Sequence, residues 1–229
     1  MSVHRKTIVH AVLVLMVCAL AGQRPLSAED LPREAQKAPA DVAAFLNSLG
    51  KKVSGFKTLK TEFTQEKEMS LFKEKIVLQG RIYLQKPGKI AWHVDKPLRY
   101  SVLITDTAIR QWDEDTNKVR EISLANNPVF QSVIGQMTVW FSGEYGSLLE
   151  NNDVKVLSLR PVVIECTPRE KNIAGKVIKS ITITFRDDET YLKQIRIQEL
   201  TGDVTTLHFT NTLINVPLDS SSFEVKRHV

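Results

Sequence analysis

The sequence predicts a mainly β protein: a single incomplete antiparallel β-barrel of about eleven strands, with helices that cover its concave apolar face. Three observations support this fold class. Apolar and polar residues alternate in about eleven short segments, which turn signals separate. One amphipathic helical segment precedes them, and one or two helical segments interrupt them near the middle. Because so large a sheet must curl, helices packed inside the curl would bury its apolar face.

The N-terminal segment has the composition of a secretory signal peptide. A basic start at residues 4–6, an apolar run at residues 8–20 and small residues up to Ala28 follow in the usual order. The apolar run, counted from residue 8 to residue 20, has 13 residues, whereas a membrane-spanning helix needs about 20. We therefore interpret residues 1–28 as a cleavable signal peptide.

Cleavage divides the chain into three parts. We expect it after Ala28, with Ala21 as the alternative site, so that residues 29–40 form a leader and residues 41–229 one domain. Cys18 suggests a lipoprotein signal instead, but the residue before it is Val17, which does not fit the small-residue site of such signals. A free exported protein is the interpretation we adopt, and a membrane-anchored receptor is the alternative.

The predicted mature chain is nearly neutral. The full chain has 31 basic residues, of which Arg5, Lys6 and Arg24 lie in the signal, so the mature chain has 28 basic against 26 acidic residues. This balance excludes the basic footprint of a nucleic-acid-binding protein. Cys166 is the single cysteine outside the signal, so no intrachain disulfide is available, and we expect a buried, inert thiol.

The first element of the domain is a helix over residues 40–53. Asp41 is a suitable N-cap, and Gly50 weakens the last turn. Apolar residues at helical spacing form one stripe, which must cover the apolar face of a sheet: Val42, Phe45, Leu46, Leu49 and Val53.

Predicted strands, in which apolar and polar residues alternate, follow in two groups. Because short turns join consecutive strands, the sequence predicts an antiparallel meander. The first group comprises residues 59–69, 76–86, 89–94, 100–106, 109–113 and 118–122. The second comprises residues 154–159, 161–166, 177–185, 191–200 and 204–211.

A helix separates the two groups. Asn127 and Pro128 cap its start, Gly143 ends it, and residues 145–151 form a second short helix. Its apolar stripe is the candidate lid, although such a stripe is more often fixed core: Val129, Phe130, Val133, Ile134, Met137, Trp140 and Phe141.

Several motifs resemble one known family in their order along the chain. The most specific is residues 80–93, GRIYLQKPGKIAWH; Phe63-Thr64-Gln65 precedes it, and Pro97 follows it. Ile104-Thr105-Asp106, Gln111-Trp112-Asp113 and residues 211–223 complete the set. Over nearly all of the domain the chain resembles the outer-membrane lipoprotein carrier proteins (LolA-like). It resembles a divergent member of this family, since Lys86 stands where the family typically has Arg, and Thr107-Ala108 where it usually has Gly.

The resemblance implies a periplasmic, non-enzymatic carrier that binds the acyl chains of lipoproteins. It also implies an inner-membrane release complex and an outer-membrane receptor as partners, and we expect a monomer. Two alternatives stay open: a carrier of another lipid or glycolipid in the same half-barrel, and a sensor of misplaced lipoproteins.

Strand alternation predicts which side chains line the apolar cavity. Ordinary core packing is the competing interpretation for each of them. The candidates are Ile82, Leu84, Lys86, Ile90, Trp92, Val94, Val102, Ile104 and Trp112.

Lys86 stands apart because a cation on an apolar face must be paired or lie at an opening. There it would contact polar parts of the cargo or hold the empty lid shut; alternatively, it extends to solvent beside Pro87.

Motifs of catalysis and of cofactor or metal binding are missing from the sequence. It contains no G-x-S-x-G, H-E-x-x-H, phosphate-binding Gly-rich loop or C-x-x-C. His93 alternates with Trp92, which predicts a surface position on its strand. We interpret the acidic clusters at residues 113–115 and 187–189 as solvated hairpin turns.

Overall fold

The computed structural model describes residues 41–71, 75–125, 128–171 and 174–225. The predicted signal peptide (residues 1–28), with Cys18, and the leader (residues 29–40) lie outside the described residues, and their assignment stays a prediction.

Eleven strands and three α-helices make up the described part of the chain. The helices are α1 (Val42–Ser54), α2 (Pro128–Ser142) and α3 (Leu148–Asn151), and 3-10 turns lie at Tyr145–Ser147, Ala174–Lys176 and Ser220–Phe223. The first six strands are β1 (Thr58–Glu68), β2 (Lys75–Gln85), β3 (Lys89–Lys96), β4 (Tyr100–Ile104), β5 (Ala108–Asp113) and β6 (Lys118–Ser123). The last five are β7 (Asn152–Leu159), β8 (Val162–Pro168), β9 (Ile178–Phe185), β10 (Leu192–Glu199) and β11 (Val204–Ile214).

The strands form one antiparallel sheet that does not close, which confirms the predicted fold class. Their order is β6-β5-β4-β3-β2-β1-β11-β10-β9-β8-β7. The predicted antiparallel meander is present within each half of the sheet, but the two halves do not join at consecutive strands. The sheet consists of two meanders joined where β1 pairs with β11, and β6 and β7, although consecutive, are the two outer strands. The helical connection over residues 124–151 is long enough to separate them.

One face of the sheet is continuously apolar, and we call it the concave face because the helices pack on it. Residues directly opposite each other in an antiparallel pair point to the same side. Ile82 pairs with Trp92, and Trp92 with Val102. On the other side of the β1–β11 junction, Ile195 pairs with both Ile183 and Leu207. Together with the helices these side chains form a single hydrophobic core.

The opposite, convex face is covered in part by the C-terminal segment. Leu218, Phe223 and Val225 pack over a small cluster formed by Tyr83, Ala91 and Leu103. The chain returns here after β11 and crosses β3, so that a face exposed in an isolated sheet is buried.

His93 lies under this segment, which makes the predicted surface position wrong. Its side chain is 1% exposed. Nδ1 lies 2.9 Å from Ser101 Oγ, and Nε2 lies 2.9 Å from the carbonyl oxygen of Ser222. The prediction of its face was correct, but no local pattern indicates that residues 218–225 cover it.

The two predicted acidic turns are present, but the first is not fully solvated. Asp113 is buried and accepts hydrogen bonds from the backbone N–H and the hydroxyl of Thr116, both at 2.8 Å. The turn therefore depends on this carboxylate as a cap.

The start of α1 is capped as predicted, and its C-terminal half lies against the end of α2. The backbone N–H of Ala44 donates to the Asp41 carboxylate at 2.9 Å. A Cβ atom added to Gly50 would collide with the carbonyl oxygen of Gly143. Gly143 has φ +87°, a conformation that favours glycine. The two glycines let the helix ends approach closely.

We expect Gly50→Ala to destabilise the protein even though alanine is the better helix former. The clash with the Gly143 carbonyl should lower the free energy of unfolding by about 1–3 kcal/mol, measured by urea denaturation. Gly55→Ala is the matched control, because no atom lies within 4 Å of its added Cβ and its φ of −69° suits alanine. The control should leave stability unchanged or raise it by about 0.4–1 kcal/mol. Equal effects of the two substitutions would contradict the close approach.

Candidate functional site

The concave face carries most of the predicted cavity residues. Strand register places them on the side that the helices cover, and all belong to the main hydrophobic core. Val102 is half-buried and the others are buried. They are Ile82, Leu84, Ile90, Trp92, Val94, Val102 and Ile104.

Trp112 does not belong to this group, and its prediction as a cavity residue is wrong. It pairs with Ser101, whose partner on β3 is His93, so its side chain points to the convex side. There the indole N–H donates to Asn117 Oδ1 at 3.0 Å. Alternation is reliable within a strand, but a turn resets it between strands. Ile109, the second residue of β5, lies on the concave side instead, opposite Ile104.

Helix α2 packs on the concave face with the second half of its predicted stripe. Trp140 and Phe141 are buried, and Ile134 and Met137 are half-buried against the core. The Phe141 ring lies 6.5 Å from Tyr191 and 5.9 Å from Phe209, centroid to centroid. The side chains of three other predicted lid residues lie outside what the structure describes: Val129, Phe130 and Val133.

Helix α1 forms the other half of the cover. Leu46, Leu49 and Val53 are at most 2% exposed and belong to the same core. After the helix, Phe56 packs edge-on against Tyr191, 6.0 Å between ring centroids. The two helices thus cover the concave face together, as the sequence predicted.

Lys86 connects the two covering helices at their C-terminal ends. Its ammonium donates to the carbonyl oxygen of Ser54, the last residue of α1, at 2.9 Å. It also donates to the carbonyl oxygen of Ser142, the last residue of α2, at 3.0 Å. The same atom lies 4.1 Å from the centroid of the Phe56 ring. One side chain at the end of β2 thus binds both helices.

The electrostatics of this contact are favourable in two ways. A helix C-terminus carries a partial negative charge and unpaired carbonyl groups, which a lysine can satisfy. A cation over an aromatic ring is attracted by the ring quadrupole. Burial lowers the pKa of the Lys86 ammonium, and the Glu144 carboxylate opposes this shift. The two carbonyl groups and the Glu144 carboxylate therefore offset only part of the cost of burying the charge, and no described carboxylate forms a direct ion pair with Lys86.

Several buried polar atoms have no hydrogen-bond partner among the described residues. They are indole N–H groups, hydroxyl groups and side-chain amide oxygens. Alternation did not indicate that Gln65 or Thr205 is buried, because isolated polar residues in a strand also occur on exposed faces. Gln65 stands out in the sequence only as part of the motif Phe63-Thr64-Gln65. The atoms are Gln65 Oε1, Trp92 Nε1, Trp140 Nε1, Asn152 Oδ1, Tyr191 OH and Thr205 Oγ1.

Within the described ranges, no group of three or more His, Cys, Asp or Glu side chains is placed to hold a metal ion. In the same part of the chain, no helix has both the length and the apolar character needed to cross a membrane.

Comparison with known proteins relates the chain to one family. The model of the family "Outer membrane lipoprotein carrier protein LolA" matches residues 54–226. An outer-membrane lipoprotein carrier protein from Chromohalobacter salexigens is 24% identical over 153 residues, which are 63% of this chain and 65% of that protein. A protein of the same name from Cupriavidus pinatubonensis is 25% identical over 190 residues, 81% of this chain and 84% of that one.

The chain therefore spans just under two thirds of the length of the first of these relatives. Among solved structures, a LolA superfamily protein from Nitrosomonas europaea aligns over 81% of this chain and 98% of its own, with 8% identity and a TM-score of 0.42. The family match extends from the end of α1 past β11 and includes all eleven strands. This protein belongs to the outer membrane lipoprotein carrier (LolA) family.

Proposed function

We propose that this protein is a periplasmic carrier that binds the acyl chains of lipoproteins on its concave face and transfers them from the inner to the outer membrane. The observation that carries the proposal is the continuous apolar face under two helices, which one cation joins at their ends. The predicted signal peptide supports the periplasmic location. The names of both relatives support lipoproteins as cargo.

A carrier of acyl chains must bind them without becoming unable to release them. Each buried methylene contributes roughly 0.8 kcal/mol, so several long chains would exceed the practical limit of about −20 kcal/mol for any noncovalent complex. The helices compete with the cargo for the apolar face. In the closed protein, side chains such as Leu46, Leu49 and Phe141 occupy the apolar face. Cargo gains only the difference between its own contacts and those of the lid, which keeps transfer reversible.

Lys86 sets the strength of closure in this mechanism. Hydrogen bonds to a charged group contribute about 1.5–3 kcal/mol each, and less where solvent reaches the group, as it does at half-buried Lys86. Two such bonds and one cation–π contact hold the lid by a few kcal/mol. That is enough to close the empty protein and little enough for cargo to displace it. The proposal thus favours the lid-holding role of Lys86 over a solvent-exposed turn lysine.

The partners follow from the same proposal. An inner-membrane release complex would load the carrier and an outer-membrane receptor would accept the cargo. A monomer can present the same opening to both in turn. Shielding and transfer of acyl chains involve no covalent step, so the proposed role needs no catalytic residue, cofactor or metal.

We expect Lys86→Leu to open the lid without unfolding the sheet and to reduce lipoprotein transfer. Cys166 provides the measurement: it is 0% exposed, and its neighbour across β8–β9, Ile181, lies in the main core. Burial, with a contribution from Glu165, raises the pKa of its thiol to about 12. Because only the thiolate reacts, labelling by a thiol reagent requires opening. If the substitution lowers the free energy of lid closure by about 1.4 kcal/mol, thiol labelling of protein purified from periplasm should become about tenfold faster.

Lys60→Leu is the matched control, because the Lys60 ammonium lies 5.9 Å from the Tyr83 ring centroid on the convex side. It should change neither labelling nor transfer, while far-ultraviolet circular dichroism confirms folding of both variants. Identical labelling rates and transfer in Lys86→Leu and the parent protein would refute the lid-holding role.

We expect native mass spectrometry of protein purified from periplasm to show a complex with a triacylated lipoprotein. Denaturing analysis of the released molecule then identifies the cargo. Release of a free glycolipid or fatty acyl product would contradict lipoprotein as the cargo and assign the half-barrel to another lipid. Protein that is empty in all preparations would favour the sensing alternative.

A further inference from the structure

Three polar side chains lie on the concave face, near the end of β1 that is remote from Lys86. Gln65, Lys67 and Thr205 are 2%, 6% and 1% exposed. Lys67 pairs directly with Thr205, whose next partner is the core residue Ile197. Gln65 pairs with Leu78 and Leu207, which are also core residues. All three side chains therefore point toward the same apolar interior.

These groups are far from the contact that holds the lid. The backbone N–H of Lys86 donates to the carbonyl oxygen of Lys57, just before β1 begins. Ten residues at 3.3 Å each separate Lys57 from Lys67, or roughly 30 Å along the strand. The concave face thus has Lys86 at one end, and Lys67 together with the uncharged polar residues Gln65 and Thr205 at the other.

The Lys67 ammonium is already neutralised. It lies 3.0 Å from Glu199 Oε1 and 4.0 Å from Asp203 Oδ2. Among the described residues, two carboxylates therefore face this one ammonium, and the group formed by these three side chains is net negative. An anionic head group would be repelled here, whereas an uncharged hydrogen-bonding group would not.

Gln65 Oε1 and Thr205 Oγ1 have no hydrogen-bond partner in the described part of the chain, although both are buried. Thr61 shows the normal arrangement on the same face, since it pairs with Ile82. Its hydroxyl lies 2.8 Å from Thr212 Oγ1 and donates to the carbonyl oxygen of Thr210 at 3.1 Å. A buried polar atom left unpaired carries its full desolvation penalty, and a ligand that pairs it removes that penalty.

We propose that Gln65 and Thr205 form a polar subsite for an uncharged amide at the head of an acyl chain. The amide N–H donates to Gln65 Oε1, and the amide carbonyl accepts from the Thr205 hydroxyl. Lys67, through Glu199 and Asp203, makes the site unfavourable for a carboxylate head. The inference rests on the proposed function, because the acyl chain must occupy the apolar face, and it adds the chemical group that this face selects.

The first arm of the test is thermal stability of the empty protein. Gln65→Met and Thr205→Val keep side-chain size and remove the unpaired atoms, so the melting temperature should stay the same or rise. Thr61→Val is the matched control and should lower it by about 2–4 °C, since it breaks satisfied hydrogen bonds. If Thr205→Val and Gln65→Met lower it as much as the control, ordered water already pairs these atoms and the subsite is overturned.

The second arm is binding of dodecanamide, methyl dodecanoate and dodecanoate, measured by isothermal titration calorimetry. The parent protein should bind the amide about tenfold more tightly than the other two probes. The Gln65→Met, Thr205→Val double variant should bind all three equally. Equal binding by the parent protein overturns the subsite and leaves the carrier function standing. Failure of every probe to bind overturns the carrier function and the subsite together.

Discussion

Pairing of β1 with β11 holds the two halves of the fold together. It joins two meanders, each with a local hairpin topology, into one sheet of eleven strands. Phe63 and Phe209 meet across this junction, so the apolar rows of both halves become one surface. Because β6 and β7 are left as outer strands, the sheet curls without closing, and helices rather than strands complete the enclosure.

An enclosure made by helices differs physically from a closed barrel. Strand pairing is cooperative along a whole ladder, whereas α1 and α2 rest on side-chain packing and on one lysine at their ends. The weakest boundary of the core is therefore also the one that a ligand can replace. Gly50 and Gly143 bring the two helix ends close enough for Lys86 to contact both. Structure and proposed release thus depend on the same few contacts.

The polar residues of the concave face differ in whether their hydrogen-bonding atoms have partners. Thr61 is fully satisfied by neighbours on β11, while Gln65, four residues further along β1, and Thr205, opposite Lys67 on β11, are not. Natural cores rarely retain unpaired polar atoms where an apolar residue of similar size would fit. A face that was only core would have methionine or valine there. On a binding surface, the desolvation penalty of unpaired polar atoms is removed when a ligand forms hydrogen bonds with them.

The eleven strands, the helices and the alternation within each strand follow from the sequence, because a period of two or 3.6 residues is a local property. The sequence therefore predicted Ile82, Trp92 and Ile104 on the helix-covered face. How strands far apart in the chain pair, and which segment covers the convex face, depend on the tertiary structure. Trp112 changed sides because a turn resets alternation, and His93 became buried because residues 218–225 return over β3. The partners of Lys86 come from helix ends 32 and 56 residues away, which no local pattern encodes.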